Sequence, residues 1–440
     1  MSVISPKGNA SDLSRRRMAS AVAFSCLGWA FDLFDLFILL YVAPTLGKVF
    51  FDSSQQMSSL VGVYAAFAAT LLMRPVGGYL FGHYADRNGR KRAMAIAAIG
   101  VGVATALMGT IPTVESIGIA APMAFIALRL IQGVFMGGMV ASTHTIGTES
   151  IAAKWRGLAS GIISGGGSGL GKLLASLVFL LVTWIFPGHA FQVWGWRFMF
   201  FSGLLSALLG LLVFTKLEES PMWDELQKGK LGAATEEKPP LRSLIQGGFL
   251  GAVVISIILT MAGGGLSYLT SGYLPTFMRL VNHVPPQKLG IILSISAIAV
   301  IVFSVIAGYL TDIIGRKTGV VLFGLLSLIA IPALYLRLAH TTAVIDIGLL
   351  SVLLSGTGAL CYAPLLIILN ERFPTKIRSS GTAISWNIGF ALGGSMPIVV
   401  SFVSKAASDL PLSLVISTAA LSSMYLLAVH FTPETREYMH

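Results

Sequence analysis

The sequence predicts an all-α membrane protein of twelve transmembrane helices, in two six-helix bundles related by pseudo-two-fold symmetry. Three observations carry that expectation. Of the 440 residues, 55% are hydrophobic and 11% charged, with a mean hydropathy of +0.81, which is far from the usage of a soluble domain. Apolar runs of about 20 residues, the length that crosses a bilayer as a helix, recur from end to end. The chain also repeats itself. The turn Asp86, Arg87, Gly89, Arg90, Lys91 and Arg92 has a weaker copy in Gly308, Asp312, Gly315, Arg316 and Lys317, with Asp312 at an offset of 226 from Asp86. Glu149 and Arg156 are spaced as Glu371 and Arg378 are, at an offset of 222. Two landmarks in nearly one register point to a duplicated half.

The runs fall near 19–43, 58–82, 93–112, 120–148, 158–185 and 197–216, then near 248–275, 289–311, 318–338, 344–369, 380–403 and 411–431. They divide the chain into a tail 1–18, a first bundle 19–216, a linker 217–247, a second bundle 248–431 and a tail 432–440. The linker is charged, turn-rich and Pro-ended, so it is expected in solvent. Of the 30 Lys and Arg residues, roughly 20 fall on the side of the termini and about six opposite, so both termini are expected in the cytoplasm. That topology accounts for the net charge of +11 without a nucleic-acid partner. The apolar run after Arg15–Arg17 is too long for a cleaved signal and continues into a charged helix. Cys26 and Cys361, the two cysteines, imply no disulfide framework. No nucleotide cradle, metal-ligand cluster or nucleophile–base set stands out, which argues against an enzyme, a cofactor and ATP drive.

Charges inside the apolar runs mark the candidate site. Asp32 and Asp35 lie three apart on one face of the first helix, some 18–23 Å in from Ser20. Ionised carboxylates at that depth are costly unless protonated, paired or facing a water-filled cavity. Arg74 in the second helix is about 18 Å above the Asp86 turn, too deep to snorkel. It calls for a carboxylate, from the protein or from cargo. Arg129 in the fourth helix lies about 30 Å from Glu149 and is the natural partner for Asp35. Gly133, Gly137 and Gly138 beside it allow close helix approach. Lys172 in the fifth helix is about 24 Å from Arg156; it meets either Asp32 or Asp35, or cargo. If Arg129 takes Asp35 and one cation takes Asp32, one positive charge is left for a substrate. Arg74 is the expected stronger ligand, because its planar fork grips a carboxylate through two parallel hydrogen bonds.

Other candidates are less charged. His144, near the inner end of the fourth helix, is either interfacial or a proton or substrate group. The sixth helix opens with Trp194, Trp196 and Arg197, expected as an interfacial anchor. The second half has no comparable charges at depth and offers Tyr268, Tyr362, Trp386 and Asn387, as substrate contacts or ordinary interhelical hydrogen bonds. Asp86, Arg87, Arg90, Glu149 and Arg156, with Asp312, Arg316, Glu371 and Arg378, are expected to form a cytoplasmic gate that only a network could bias, since exposed pairs contribute under about 1 kcal/mol each.

RPVGGYLFGHYADRNGRK, RLIQGVFMGG, KWRG, WGWRFMFFSG, EESPMW, ERFPTKIRSSGTAISWNIGFALGGSMPIVV and PETRE together resemble the major facilitator superfamily. More narrowly, they resemble its metabolite–proton symporters and the neighbouring sialate- and aromatic-acid–proton symporters. The resemblance implies two bundles around a central cavity that opens alternately to either face. In related proton-coupled sugar porters a first-helix aspartate faces the arginine of the fourth-helix RxxxG motif, by position Asp35 and Arg129. The GxxxDRxGRK loop, matching Asp86, Arg87 and Arg90, gates the cytoplasmic side in the superfamily. Arg74 matches the RP of the metabolite symporters. The chain departs from them in having FDLFD for EWYD in the first helix and Met139 where an acidic residue is usual, and Lys172 matches none of them.

The sequence therefore predicts a proton-coupled symporter that imports a small organic anion, a mono- or dicarboxylate, as a monomer in the inner membrane, with protons as the coupling ion. A proton-antiport exporter of amphipathic compounds would suit an aromatic cavity with few fixed cations, and Arg74 and Lys172 argue against it. A receptor or channel would need a continuous pore that two latched bundles do not offer.

Overall fold

The computed structural model describes residues 7–51, 55–88, 90–149, 155–216, 248–374 and 377–434. The linker 217–247 lies outside them. Among the described residues eleven helices are long and apolar enough to cross a bilayer, and a twelfth, Arg92–Met108, is apolar but shorter. Helices are what the medium demands: hydrocarbon offers backbone N–H and C=O groups no partner, so each segment must satisfy its own.

In chain order the first half comprises α1 (Lys7–Phe50), α2 (Gln56–Asn88), α3 (Arg90–Met108) and α4 (Ala120–Glu149). It continues with α5 (Arg156–Ile185) and α6 (Phe191–Leu212). The second half comprises α7 (Leu250–Leu280), α8 (Pro286–Ile314), α9 (Arg316–Ala339), α10 (Val344–Arg372), α11 (Gly381–Val403) and α12 (Ala407–His430). The duplication read from the charged turns is repeated in the packing. In the first half α1 packs on α5, α2 on α4 and α3 on α6; in the second α7 packs on α11, α8 on α10 and α9 on α12. Between the halves, α5 runs along α8 and α2 along α11, and these two contacts are themselves equivalent under the repeat.

The first helix overruns its expected end at 43, continuing through Pro44 to Phe50. Aromatic packing holds the extension: the Phe50 ring stacks on Phe125 at 4.7 Å and meets Trp196 edge-on at 5.3 Å. Trp196 is thereby fully buried, so it is part of the core rather than an interfacial anchor; Trp194 alone of the pair is exposed. Several spans are not continuous α-helix. π-Helical turns occupy Gly161–Gly166 in α5, Phe191–Gly195 in α6 and Tyr268–Gly272 in α7, while α10 breaks between Tyr362 and Leu365. Such turns free backbone groups and re-aim side chains, and are frequent at functional sites. The α2–α4 contact is the closest in the first half. At Gly137 even a Cβ would run into the Arg74 carbonyl, so this glycine sets how near Arg74 comes to the first-half core.

Candidate functional site

Asp32 and Arg74 form the centre. One guanidinium nitrogen, Arg74 Nη2, donates to both carboxylate oxygens of Asp32, at 2.8 and 2.9 Å. Both side chains are 2% exposed. A fork of two parallel bonds is not formed, and Arg74 Nε has no protein partner. The arginine expected to be the stronger cargo ligand is instead engaged by the protein's own carboxylate.

Asp35 faces elsewhere. Its Oδ1 accepts from the Thr105 hydroxyl of α3 at 3.1 Å and its Oδ2 from the Ser206 hydroxyl of α6 at 2.7 Å. Arg129 does not reach it, contrary to the expected pairing. Arg129 Nη1 donates to Gln132 Oε1 at 2.8 Å, and Gln132 Nε2 donates to Thr105 Oγ1 at 2.6 Å. The contact between charge and counter-charge is thus relayed through an amide and a hydroxyl. The physical reason is local: Gln132 sits one turn after Arg129 on α4 and takes the place between it and α3. The guanidinium lies 5.4 and 5.6 Å from the Phe125 and Phe200 ring centroids, a cation–π setting, and its Nε and Nη2 are buried without a partner. Thr105 and Ser206 carry no signal in a sequence full of interhelical hydroxyls. Gln132, an amide deep in an apolar helix, could have been found.

Lys172 is also buried, 2% exposed. Close packing on α1 puts it there, since a Cβ at the neighbouring Gly171 would meet the Ala30 carbonyl. Its Nζ lies 5.0 Å from the Phe37 ring centroid and makes one long hydrogen bond, 3.5 Å, to Ser267 Oγ of α7. Among the described residues no carboxylate lies within ion-pairing distance of it.

The second half closes over these charges with aromatic rings. Trp386 stacks on Phe390 at 4.9 Å, Tyr268 meets Phe390 at 5.1 Å and Tyr362 meets Trp386 at 5.8 Å. Trp29 of α1 joins the cluster from the first half, edge-on to Trp386 at 5.6 Å and donating Nε1–H to the Tyr362 hydroxyl at 3.1 Å. Tyr268 stacks on Phe37 at 6.5 Å, which connects the rings to Lys172. The Tyr268 hydroxyl and Trp386 Nε1 are buried without protein partners. Asn387 does not join them through its amide nitrogen, which donates to Ala383 O of its own helix at 2.9 Å. Trp29, Phe37 and Phe390 were not singled out in the sequence, because aromatic residues in apolar helices are the norm. His144 lies outside the residues whose side chains are described.

Contacts between the halves cover the cluster on both sides. On one face Tyr64 stacks on Tyr273 at 5.2 Å and its hydroxyl lies 2.8 Å from Thr276 Oγ1. On the other, the face of the expected gate, Asp312 of α8 accepts the first backbone N–H groups of α5, from Gly157 at 3.0 Å and Leu158 at 2.7 Å. A carboxylate on a helix N-terminus is a favourable pairing. Arg316 holds Asp312 at 2.6 Å and grips Glu371 through Nε and Nη2, each at 3.1 Å. Glu434 accepts the backbone N–H of Arg316 and Lys317 at 2.9 and 3.0 Å, a clasp from the PETRE segment that the sequence did not suggest. The Asp86, Arg87, Arg90, Glu149 and Arg378 side chains lie outside the described residues; Arg156 opens α5 beside the clasp.

Known proteins bear on this arrangement. The family described as the Major Facilitator Superfamily matches residues 20–398. The inner membrane metabolite transport protein YhjE of Escherichia coli K12 is 30% identical over 422 residues, covering 94% of this chain and 93% of that protein. The proline/betaine transporter of the same strain is 28% identical, covering 90% of this chain and 79% of that protein. Among solved structures, the xylose transporter XylE from E. coli in a partially occluded, inward-open conformation superposes with a TM-score of 0.71, covering 97% of this chain and 100% of that one at 21% identity.

Asp312→Ala is expected to loosen the gate face. Backbone hydrogen bonds to a charged acceptor contribute about 1.5–3 kcal/mol each, so losing two should raise solvent labelling of a cysteine at Ser304 by tenfold or more. Unchanged labelling would rule out the clasp.

Proposed function

Because the chain belongs to the Major Facilitator Superfamily and is a multi-pass membrane transporter rather than an enzyme, we propose that it imports a small carboxylate together with protons by alternating access. The observation that supports this most is Lys172, a buried cation with no counter-charge within ion-pairing distance among the described residues. Arg74 is answered by Asp32, and Arg129 is linked to Asp35 through Gln132 and Thr105. One positive charge remains, and a monocarboxylate supplies its counterpart. The unpartnered Tyr268 hydroxyl and Trp386 Nε1 add two donors nearby, and Tyr362 and Phe390 give the cargo an apolar wall. Protonation of Asp32 would release Arg74 for a second carboxylate, which is how a dicarboxylate would be taken.

Asp35 is the proposed proton carrier. Adding a proton there changes what Thr105 and Gln132 must satisfy, and so frees or holds Arg129, a switch whose two states prefer different packings. The Lys and Arg bias of the loops supports a cytoplasmic position for both termini and for the proposed gate. The gate would comprise Asp312, Arg316 and Glu371 together with Asp86, Arg87, Arg90, Glu149, Arg156 and Arg378. One chain holds every part of this cycle, so a monomer suffices.

A second reading is favoured by the rings. Proline and betaine, the cargo named for relatives at 28% identity, each carry one carboxylate and one cationic nitrogen. A cationic nitrogen binds well over aromatic faces, and Trp386, Phe390 and Tyr362 offer them. A zwitterion would place its carboxylate on Lys172 as well.

Lys172→Gln is expected to weaken carboxylate binding about ten- to a hundredfold, the loss of a charge-assisted hydrogen bond. Competition binding on the purified protein measures it, and a change below about threefold would remove Lys172 as the ligand. In proteoliposomes with an imposed pH gradient, Asp35→Asn should abolish accumulation while leaving exchange of labelled cargo across the membrane. Full gradient-driven accumulation in that variant would take Asp35 out of the coupling step, and Asp32→Asn in the same assay decides between the two carboxylates.

A further inference from the structure

On the face opposite the gate, a cavity of about 1000 Å³ opens between the halves. Lys48 at the end of α1 and Arg197 of α6 line it from the first half, Arg279 and His283 from the end of α7 in the second, with His189 and Glu115 from connecting segments. Three fixed cations thus meet a single carboxylate among the described charged groups that line it, with two imidazoles beside them. The cations come from three separate spans, α1, α6 and α7. Lys48 is exposed. Arg197 is held in place by donating to the carbonyls of Gly109 and Ile111 at 2.8 and 2.9 Å and by lying 4.4 Å from the Trp196 ring centroid. Arg279 makes one long bond, 3.3 Å, across the halves to Thr45 Oγ1. His283, which lines this wall, is the one described non-glycine residue with positive φ, at 53°, a backbone conformation that favours few residue types.

We propose that this vestibule is a second anion site, separate from Lys172, which takes a small multivalent oxyanion and holds the face shut while it is bound. The volume is that of a small-molecule site, and three cations gathered against a single carboxylate raise the local concentration of anions. The placement matters more than the charge. Lys48 and Arg197 move with the first half and Arg279 with the second, so an anion with two or three charged ends bridges them only while the halves are together on this side. Occupancy therefore favours the closed face by the difference in affinity between the two arrangements. The site does not depend on what Lys172 carries.

Calorimetry on the purified protein with citrate at constant ionic strength tests the binding. Arg279→Gln and Lys48→Gln should each weaken citrate about tenfold, the loss of one charge-assisted contact. Arg279→Lys should stay near wild type and shows that the fold survives change at that position. Lys172→Gln should bind citrate as wild type does. If citrate binding disappears with Lys172→Gln and persists in Arg279→Gln and Lys48→Gln, the anion sits at the central site and the proposal is overturned. Inorganic phosphate, with a single charged centre, should bind more weakly than citrate by at least about tenfold, and equal binding would contradict the bridge. The holding role itself is read by labelling a cysteine at Thr276, one turn before Arg279, in a Cys26→Ser, Cys361→Ala background. Saturating citrate should slow labelling several-fold in the otherwise unaltered protein and have no effect with Arg279→Gln. Labelling that citrate leaves unchanged would contradict the holding role.

Discussion

The bond from Arg74 to Asp32 is the interaction on which the rest of the arrangement depends. Each ion alone in the hydrocarbon layer would be strongly unfavourable, and breaking a buried pair by removing one partner commonly costs about 3–5 kcal/mol. Their union ties α1 to α2 near the middle of the first half. It also decides the charge of everything near it. With Asp32 committed, the ammonium of Lys172 has a ring face and one long hydroxyl contact, neither of which is a counter-ion. Asp35, on the same helix, is held instead by the hydroxyls of Thr105 and Ser206. The shortage at Lys172 thus follows from the pairing of Asp32, while the relay to Asp35 is set locally by Gln132.

The halves divide the labour accordingly. Fixed charges at depth belong to the first half, while the second contributes rings, hydroxyls and the interrupted helices α7 and α10. Repeated packing of equivalent helix pairs gives the two halves the same frame, so what distinguishes them is the side chains that face the middle. The gate face shows the complementary economy. Asp312 serves as a partner for Arg316 and as a cap for the start of α5, joining the halves at a helix end whose N–H groups would otherwise lack acceptors.

Much of this was legible in the sequence because charge in an apolar run is rare. Asp32, Asp35, Arg74, Arg129 and Lys172 announce themselves, and helix rise alone gives their depth. Spacing between the charged turns reveals the duplication, and the positions of the spans follow from hydropathy. What stayed hidden was partner choice. Depth does not distinguish Arg74 from Lys172 as the mate of Asp32, since that depends on helix rotation and on glycines such as Gly137 and Gly171 that set approach distances. Gln132 and Thr105 intervened between Arg129 and Asp35 because a neutral amide and hydroxyl make no mark in a charge count. The overrun of α1 through Pro44 was hidden too, for it rests on the Phe50 ring finding Phe125 and Trp196, a contact between residues far apart in the chain.

The central claim is that the protein leaves one buried positive charge for its cargo to neutralise. The most direct measurement compares a good substrate acid with its own primary amide as competitors for binding to the unaltered protein. The two differ little in size and shape and chiefly in the negative charge. The account predicts that the acid competes at least about tenfold better, with the advantage lost as the pH falls below the acid's own pKa. Equal competition by acid and amide would contradict it, because the cargo would then not be the counter-charge of Lys172.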